Sequence, residues 1–336
     1  MSRKQYRVIV MVGIIIAMVS VLTFSVACSS GDDGVDIAGN DPLPAETTTE
    51  AEAKPYSFTD DLGYEITVDQ PKRVVACMGS FADIWLLAGG ELVGVTQDAY
   101  DGYLDSSEEL ATVGDFTAPN LEEIISLDPD FVIMTGAATG KDGAASQTEL
   151  KESLEASGIT VAYFSVTTFD DYLRMLEICC DITGREDLYA ENGSAVQDEI
   201  ENIKATSTSE EPPTVLLMTT YSGGTRVQNS STMTGAMLAD LGATNLADET
   251  PSLLREFSLE SVIEMNPDYI LVVPMGNDDV AAMRNLEEAT SANPAWASLD
   301  AVVKGNFVTL DKELFLYKPN ENWGQSYRVL FDILYA

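Results

Sequence analysis

The chain contains no histidine. That absence removes Ser-His-Asp and Cys-His catalysis, histidine-based zinc sites and histidine-ligated haem. Among the four cysteines, Cys77, Cys179 and Cys180 make no Cys-x-x-Cys spacing and no disulfide framework. Neighbours on a helix point about 100° apart, so a Cys179–Cys180 bond would distort the backbone, and packing is the expected role of both. Cys28 differs, because Ser25-Val26-Ala27 precede it in the layout of a lipobox. Small residues there let a peptidase approach, and the thiol receives a diacylglycerol before cleavage. The 55 Asp and Glu side chains leave histidine-free catalysis open, for example by a carboxylate pair of the glycosidase kind.

The elements that would deliver Cys28 to a membrane are plain. Arg3, Lys4 and Arg7 are followed by an uncharged run from Val8 to Ala27, the pattern of a secretion signal. The run is long enough to span a bilayer, but cleavage before Cys28 leaves acyl chains as the anchor, each buried methylene adding about 0.8 kcal/mol. The expected division is therefore a lipoprotein signal peptide at 1–27 and a flexible tether at 28–54. The tether is rich in Gly, Asp, Thr, Glu, Pro and Ala, too polar to bury a core, and as a coil it reaches roughly 30 Å. The mature chain is expected to be extracytoplasmic and lipid-anchored. Losing the signal leaves 15 Lys and Arg against 55 Asp and Glu, a net charge near -40. Nucleic acid is excluded as a partner, since phosphate contacts need basic surface.

About 280 residues remain, enough for one large or two medium domains. Tyr56 to Val68 predicts a hairpin turning near Asp61-Leu62-Gly63. Apolar strands at 73–77, 92–95, 131–134 and 161–164 alternate with helices at 80–88, 120–127 and 147–156, which implies a buried parallel sheet. Helical spacing follows at 169–182 and 188–204, and the second of these is long and charged. A second series has strands at 214–218 and 306–310 with helices at 234–241 and from Asn322.

An internal repeat links the two series. Asn120-Leu-Glu-Glu-Ile-Ile-Ser-Leu-Asp-Pro-Asp-Phe-Val-Ile-Met134 matches Ser258-Leu-Glu-Ser-Val-Ile-Glu-Met-Asn-Pro-Asp-Tyr-Ile-Leu-Val272 at a constant offset of 138. Each copy predicts an N-capped helix, a Pro-Asp turn and a core strand.

In order and spacing, Pro71-Lys-Arg-Val-Val75, Ala82-Asp-Ile84 with Gly89, Gly94-Val95, Val113-Gly114, Pro119-Asn-Leu-Glu122 and Asp128-Pro-Asp130, then Ser258-Leu-Glu260 and Asn266-Pro-Asp268, resemble the class III periplasmic binding proteins. The resemblance covers roughly Ser57 to the C-terminus. It implies an α/β fold of two Rossmann-like lobes, with mainly parallel sheets, joined by a single long α-helix. The corresponding boundaries are an N-terminal lobe at 55–186, an inter-lobe helix at 187–206 and a C-terminal lobe at 207–336. It further implies a binding protein rather than an enzyme, an ABC permease and its ATPase as partners, and Glu122 and Glu260 as permease-docking residues. No cofactor is expected.

Ligands of open parallel sheets collect beyond the C-terminal strand ends, here the loops after Ala76, Met134, Met218 and Val273. The candidate contacts are Met78, Gly79, Ser80, Phe81, Tyr100 and Tyr103 from the first lobe. Tyr221, Arg226, Tyr317 and Trp323 are the candidates from the second. Gly79 admits close backbone approach, and the helix after it offers free N–H groups. Aromatics and an arginine suit a large planar or anionic chelate, although Asn320-Glu321-Asn322, where such relatives carry a basic residue, has none. A metal that arrives already chelated needs no protein ligand, so a ferric siderophore is the first expectation. Haem, with Met78 or a tyrosine as axial ligand, and a corrinoid are the alternatives; free zinc or manganese is disfavoured. The readings from other classes are a secreted carboxylate-dependent hydrolase and a surface adhesin or signalling module.

Overall fold

A computed structural model describes residues 55–104, 109–136, 147–207, 211–255, 257–276, 278–291 and 293–336. The signal segment 1–27, Cys28 and the tether to Lys54 lie outside them. Among the described residues no helix is long and apolar enough to cross a membrane.

The described chain opens with an antiparallel hairpin, β1 (Tyr56–Thr59) and β2 (Glu65–Val68). Asp60 shapes its turn, accepting the N–H groups of Leu62 (3.0 Å) and Tyr64 (2.9 Å). The other oxygen of the same carboxylate accepts Tyr163 N–H and ties the hairpin to the first sheet.

That sheet follows as β3 (Val74–Ala76), α1 (Gly79–Leu87), β4 (Leu92–Val95), α2 (Asp98–Gly102) and β5 (Ala111–Thr112). A small hairpin, β6 (Gly114–Asp115) and β7 (Ala118–Pro119), leads into α3 (Leu121–Ser126), β8 (Phe131–Thr135), α4 (Lys151–Ala156) and β9 (Thr160–Phe164). The strand order is β5-β4-β3-β8-β9, all parallel. All three residues of β3 and all five of β8 are buried, as continuous apolar runs require.

α5 (Phe169–Thr183) starts at a capping box between Thr168 and Asp171 and stops at left-handed Gly184. Cys179 and Cys180 are buried on it. A single helical run then extends from α6 (Glu186–Tyr189), through a π-turn at Ala190–Ser194, into α7 (Ala195–Thr206). At 1.5 Å per residue it spans about 30 Å. Gly193 lies in the π-turn, where a Cβ would come within 3.3 Å of Leu173 and Leu176 on α5.

The second sheet comprises β10 (Thr214–Tyr221), β11 (Gly224–Gln228), α8 (Met233–Asp240), β12 (Thr244–Asn245), α9 (Leu246–Glu249), α10 (Leu259–Met265) and β13 (Tyr269–Pro274). After these come α11 (Asp279–Ser291), a 3-10 turn at Pro294–Ser298, α12 (Asp300–Val303), β14 (Phe307–Thr309) and α13 (Lys312–Phe315). The chain closes through a 3-10 turn at Asn320–Asn322 and α14 (Trp323–Tyr335). The order is β11-β10-β13-β14, with β12 beside the start of β10, and only the β10–β11 pair is antiparallel.

Here the sequence expectation needs correction. β10 does not stop at Met218. Thr219, Thr220 and Tyr221 carry it three residues further, and it folds back as a hairpin. Tyr221 and Arg226 therefore sit on paired strands rather than in an open loop. α11 was also not foreseen.

The repeat performs the same structural task twice. The Asp130 carboxylate accepts the N–H groups of Lys72 (2.8 Å) and Arg73 (3.0 Å), just ahead of β3. Asp268, 138 residues on, accepts Thr214 N–H (2.9 Å) and Thr214 Oγ1–H (2.6 Å) at the head of β10. Asp128 and Asn266 both adopt left-handed backbone (φ 47 and 43), which Asp and Asn tolerate better than most residues. Each copy thus ends a helix, reverses the chain and pins the start of a central strand.

One apolar core joins the sheets. Val74 and Ala76 of the first sheet and Val215, Leu217, Leu271 and Val273 of the second belong to one buried cluster with residues of α5, α7 and α14. The alternate residues, Val75 and Cys77 or Leu216, Met218, Ile270 and Val272, face separate outer clusters.

Removing either repeat carboxylate strips partners from backbone donors. Asp130→Ala and Asp268→Ala should each cost about 1–3 kcal/mol, seen as a lower urea midpoint at unchanged slope. A wild-type midpoint in both variants would remove this role.

Candidate functional site

A cavity of about 340 Å³ opens where the strands of both sheets end. Met78 and Ser80 reach it from the end of β3, Asp98 and Tyr103 from beyond β4, and Phe116 from the β6–β7 turn. Met275 and Gly276, after β13, close it from the second sheet together with Leu316, Tyr317 and Lys318. A second hollow of about 210 Å³ adjoins it, sharing Met275 and Leu316, and takes Arg226 on β11 as a wall.

The floor is set by buried polar groups. Gln147 is fully buried; its amide donates to the carbonyls of Cys77 (2.8 Å) and Phe116 (2.7 Å) and accepts Thr135 N–H (2.9 Å). It thereby fixes the residues that carry Met78 and Phe116 into the cavity. Across the cavity, Asn320 is fully buried with φ 49, and its amide donates to Ser80 C=O (3.0 Å) and Asp83 Oδ2 (2.8 Å). Tyr103 O–H donates to Lys318 C=O (3.2 Å), and the Tyr103 and Tyr317 rings lie 6.4 Å apart. The segment between α13 and α14 is thus fastened to the first sheet's side of the cleft.

Two charged groups dominate the interior. Asp98 Oδ2 accepts Gly79 N–H at 2.7 Å, and burial raises its pKa. Lys318 is half-buried, with Nζ 3.9 Å from Met78 Sδ and 5.7 Å from the Phe81 ring centre. Burial pulls the pKa of its ammonium group down to about 8, against the opposing pull of Asp98. Among the described residues the three thiols are buried, which disfavours their thiolate forms. Burial pushes Cys180 up to about 11 and raises Cys77 and Cys179 further.

The structure brings some expected contacts together and not others. Met78, Ser80, Tyr103 and Tyr317 line the larger cavity and Arg226 the smaller. Gly79 does not serve close ligand approach. Its N–H is taken by Asp98, and a Cβ would lie 2.7 Å from the Ala99 backbone, so glycine lets α1 pack on α2. Phe81 is wholly buried against Phe164 and underlies the cavity rather than lining it. Tyr100 turns away, its hydroxyl donating to Leu110 C=O (3.0 Å) and accepting Leu110 N–H (3.1 Å). Tyr221 supports Arg226, whose guanidinium lies 5.3 Å from the ring centre. Trp323 is buried on Phe169 and borders a different hollow beside α7. Sequence reasoning missed Asp98, Phe116, Met275, Leu316 and Lys318. The strand-end rule could have found Asp98 and Met275, but no sequence signal directs Lys318 inward.

Glu122 and Glu260 are both exposed at the second residue of their helices, α3 and α10. There they complement the helix dipole by about 0.3–1 kcal/mol.

A sequence profile described as "Periplasmic binding protein" matches residues 74–314. The chain belongs to that family. Its members are solute-binding proteins of ABC importers that act outside the cytoplasm, and it is not an enzyme. The chain is 25% identical over 259 residues to the Fe(3+)-citrate-binding protein YfmC of Bacillus subtilis, covering 76% of this chain and 78% of that protein. It superposes on the haem-binding protein HutB of Vibrio cholerae with a TM-score of 0.63 and 25% identity, over 79% of this chain and 99% of HutB. It shares the fold of Staphylococcus aureus SirA, solved with staphyloferrin B, with a TM-score of 0.62 and 21% identity, over 83% and 97% of the two chains.

Asn320→Ala would leave the Ser80 carbonyl and Asp83 Oδ2 without this donor inside the protein. It should destabilise the fold by about 1–3 kcal/mol, measured by urea unfolding. Wild-type stability would show that the contact does not hold the cleft together.

Proposed function

We propose that the chain is a lipid-anchored, extracytoplasmic carrier that captures a chelated metal, foremost a ferric siderophore, between two lobes and delivers it to an ABC permease driven by its ATPase. The supporting observation is the cleft: an apolar and aromatic cavity at the C-terminal ends of two sheets, with Lys318 within it and Arg226 in the adjoining hollow. Such walls bury a ligand's organic shell while the cations meet oxygens that carry negative charge. The iron-citrate carrier and the siderophore-bound structure among its relatives point the same way. On this reading the lobes are residues 55–186 and 207–336, with the helix at 187–206 between them. The lipid on Cys28 keeps the loaded carrier near its permease, and Glu122 and Glu260 dock there.

Tryptophan fluorescence of the purified protein, titrated with ferric siderophores, haem and cyanocobalamin, tests the ligand class. Saturable quenching by at least one ferric siderophore is expected, and no response to any of them would overturn the reading. Haem is the second reading, favoured by Met78, Tyr103 and Tyr317 in one cavity, since any of them can supply an axial ligand. A Soret band that shifts on binding, and shifts again in Met78→Ala, would put haem first.

Reversal of both docking charges, in E122K/E260K, is expected to abolish uptake by cells while the purified variant keeps its ligand affinity. Normal uptake would sink the docking assignment.

A further inference from the structure

The hollow beside α7 that Trp323 borders measures about 230 Å³ and shares no lining residue with the two at the strand ends. Its walls come from the start of α5, from α7, from the end of α8 and from the first turns of α14. α5 follows the first sheet, whereas α8 and α14 belong with the second, so the hollow lies between elements of both.

Three features of its walls specify an occupant. First, its apolar lining is Phe169, Ile200, Met237, Trp323 and Tyr327, all buried, and three of the five are aromatic, which suits a ring-sized apolar body. Second, Trp323 is only 1% exposed, yet its indole Nε1–H has no acceptor among the described residues. A buried indole N–H ordinarily finds a partner, and an occupant that carries an oxygen supplies one. Third, the charges of the wall do not cancel. Lys204 Nζ and Tyr327 O–H both meet Asp240 Oδ2, at 3.1 and 2.7 Å, which satisfies that carboxylate within the protein. Asp170 and Glu201 are exposed at the rim and join no ion pair among the described residues. Two carboxylates in excess call for a cation.

We propose that this hollow is a second ligand site, taking a small arylalkylammonium ion with an oxygen on its ring. The ring lies against the apolar lining, the oxygen accepts the Trp323 N–H, and the ammonium faces Asp170 and Glu201. Exposed ion pairs contribute little each, so ring burial and the indole bond supply most of the affinity while the carboxylates choose the sign of charge. The aromatic side chains of the lining favour the same sign. This site is independent of what the cleft carries.

The test is calorimetric titration of the purified protein with tyramine, with phenethylamine, which lacks the ring oxygen, and with phloretate, which carries a carboxylate in place of the ammonium. Expected is saturable binding of one tyramine, with a Kd of about 1 mM or tighter for a ligand of this size, and a rise in Tm when tyramine is present. Phenethylamine should bind about two- to tenfold more weakly, and phloretate at least about tenfold more weakly. Trp323→Phe should lose about two- to tenfold in tyramine affinity and no longer distinguish tyramine from phenethylamine, because the oxygen and the indole N–H act as one pair. D170N/E201Q, altered only at exposed positions, should lose about two- to tenfold as well. Absence of saturable tyramine binding, equal binding of phloretate, or unchanged tyramine affinity in either variant would overturn the assignment. Should Trp323→Phe fail to fold, the comparison of tyramine with phenethylamine on wild type decides the indole contact, and equal affinity for the two overturns it.

Discussion

The cleft depends on one buried contact between chain segments far apart in sequence. Asn320, held in left-handed backbone just ahead of α14, gives its amide protons to the Ser80 carbonyl and the Asp83 carboxylate on α1. α1 leaves the central strand of the first sheet, and the Asn320 segment leaves the edge strand of the second. A hydrogen bond to a charged group is worth about 1.5–3 kcal/mol, and an orphaned buried partner costs a similar amount. The contact therefore resists separation of the two sides at the point where Tyr103, Tyr317 and Lys318 face each other.

Behind the seam the two sheets share one apolar core through α5, α7 and α14. Tyr327 O–H and Lys204 Nζ both meet Asp240 Oδ2, at 2.7 and 3.1 Å, which links α14, α7 and α8. Close-packed interiors transmit strain and do not stretch. A helical run of residues 186–206 packed into that core acts as a brace.

Charge is divided by location. The chain carries a large acidic excess, 55 Asp and Glu against 18 Lys and Arg, which says little about fold. Inside the larger cavity the carboxylates of Asp98 and Asp101 share the walls with Lys318.

Sequence alone determined the parts governed by local chemistry and periodicity. Apolar runs of four or five residues between capped helices specified β4, β8 and β9 to within a residue. Pro-Asp spacing exposed the repeat, and the absence of histidine removed whole reaction classes. The two-lobed α/β family followed from those motifs in order. Tertiary structure decided which side chains meet. Phe81 and Trp323 have the composition of ligand contacts, yet helix phase turns them into the core. Gly79 looked open to a ligand, yet α2 occupies its approach. β10 runs past Met218, where the apolar run ends, because Thr219, Thr220 and Tyr221 favour extended backbone and pair with β11, the first two also with β13. Lys318 was invisible because nothing near it in sequence shows that the chain, pinned at Asn320, carries its stem toward Met78 and Asp98, which lie more than 200 residues away.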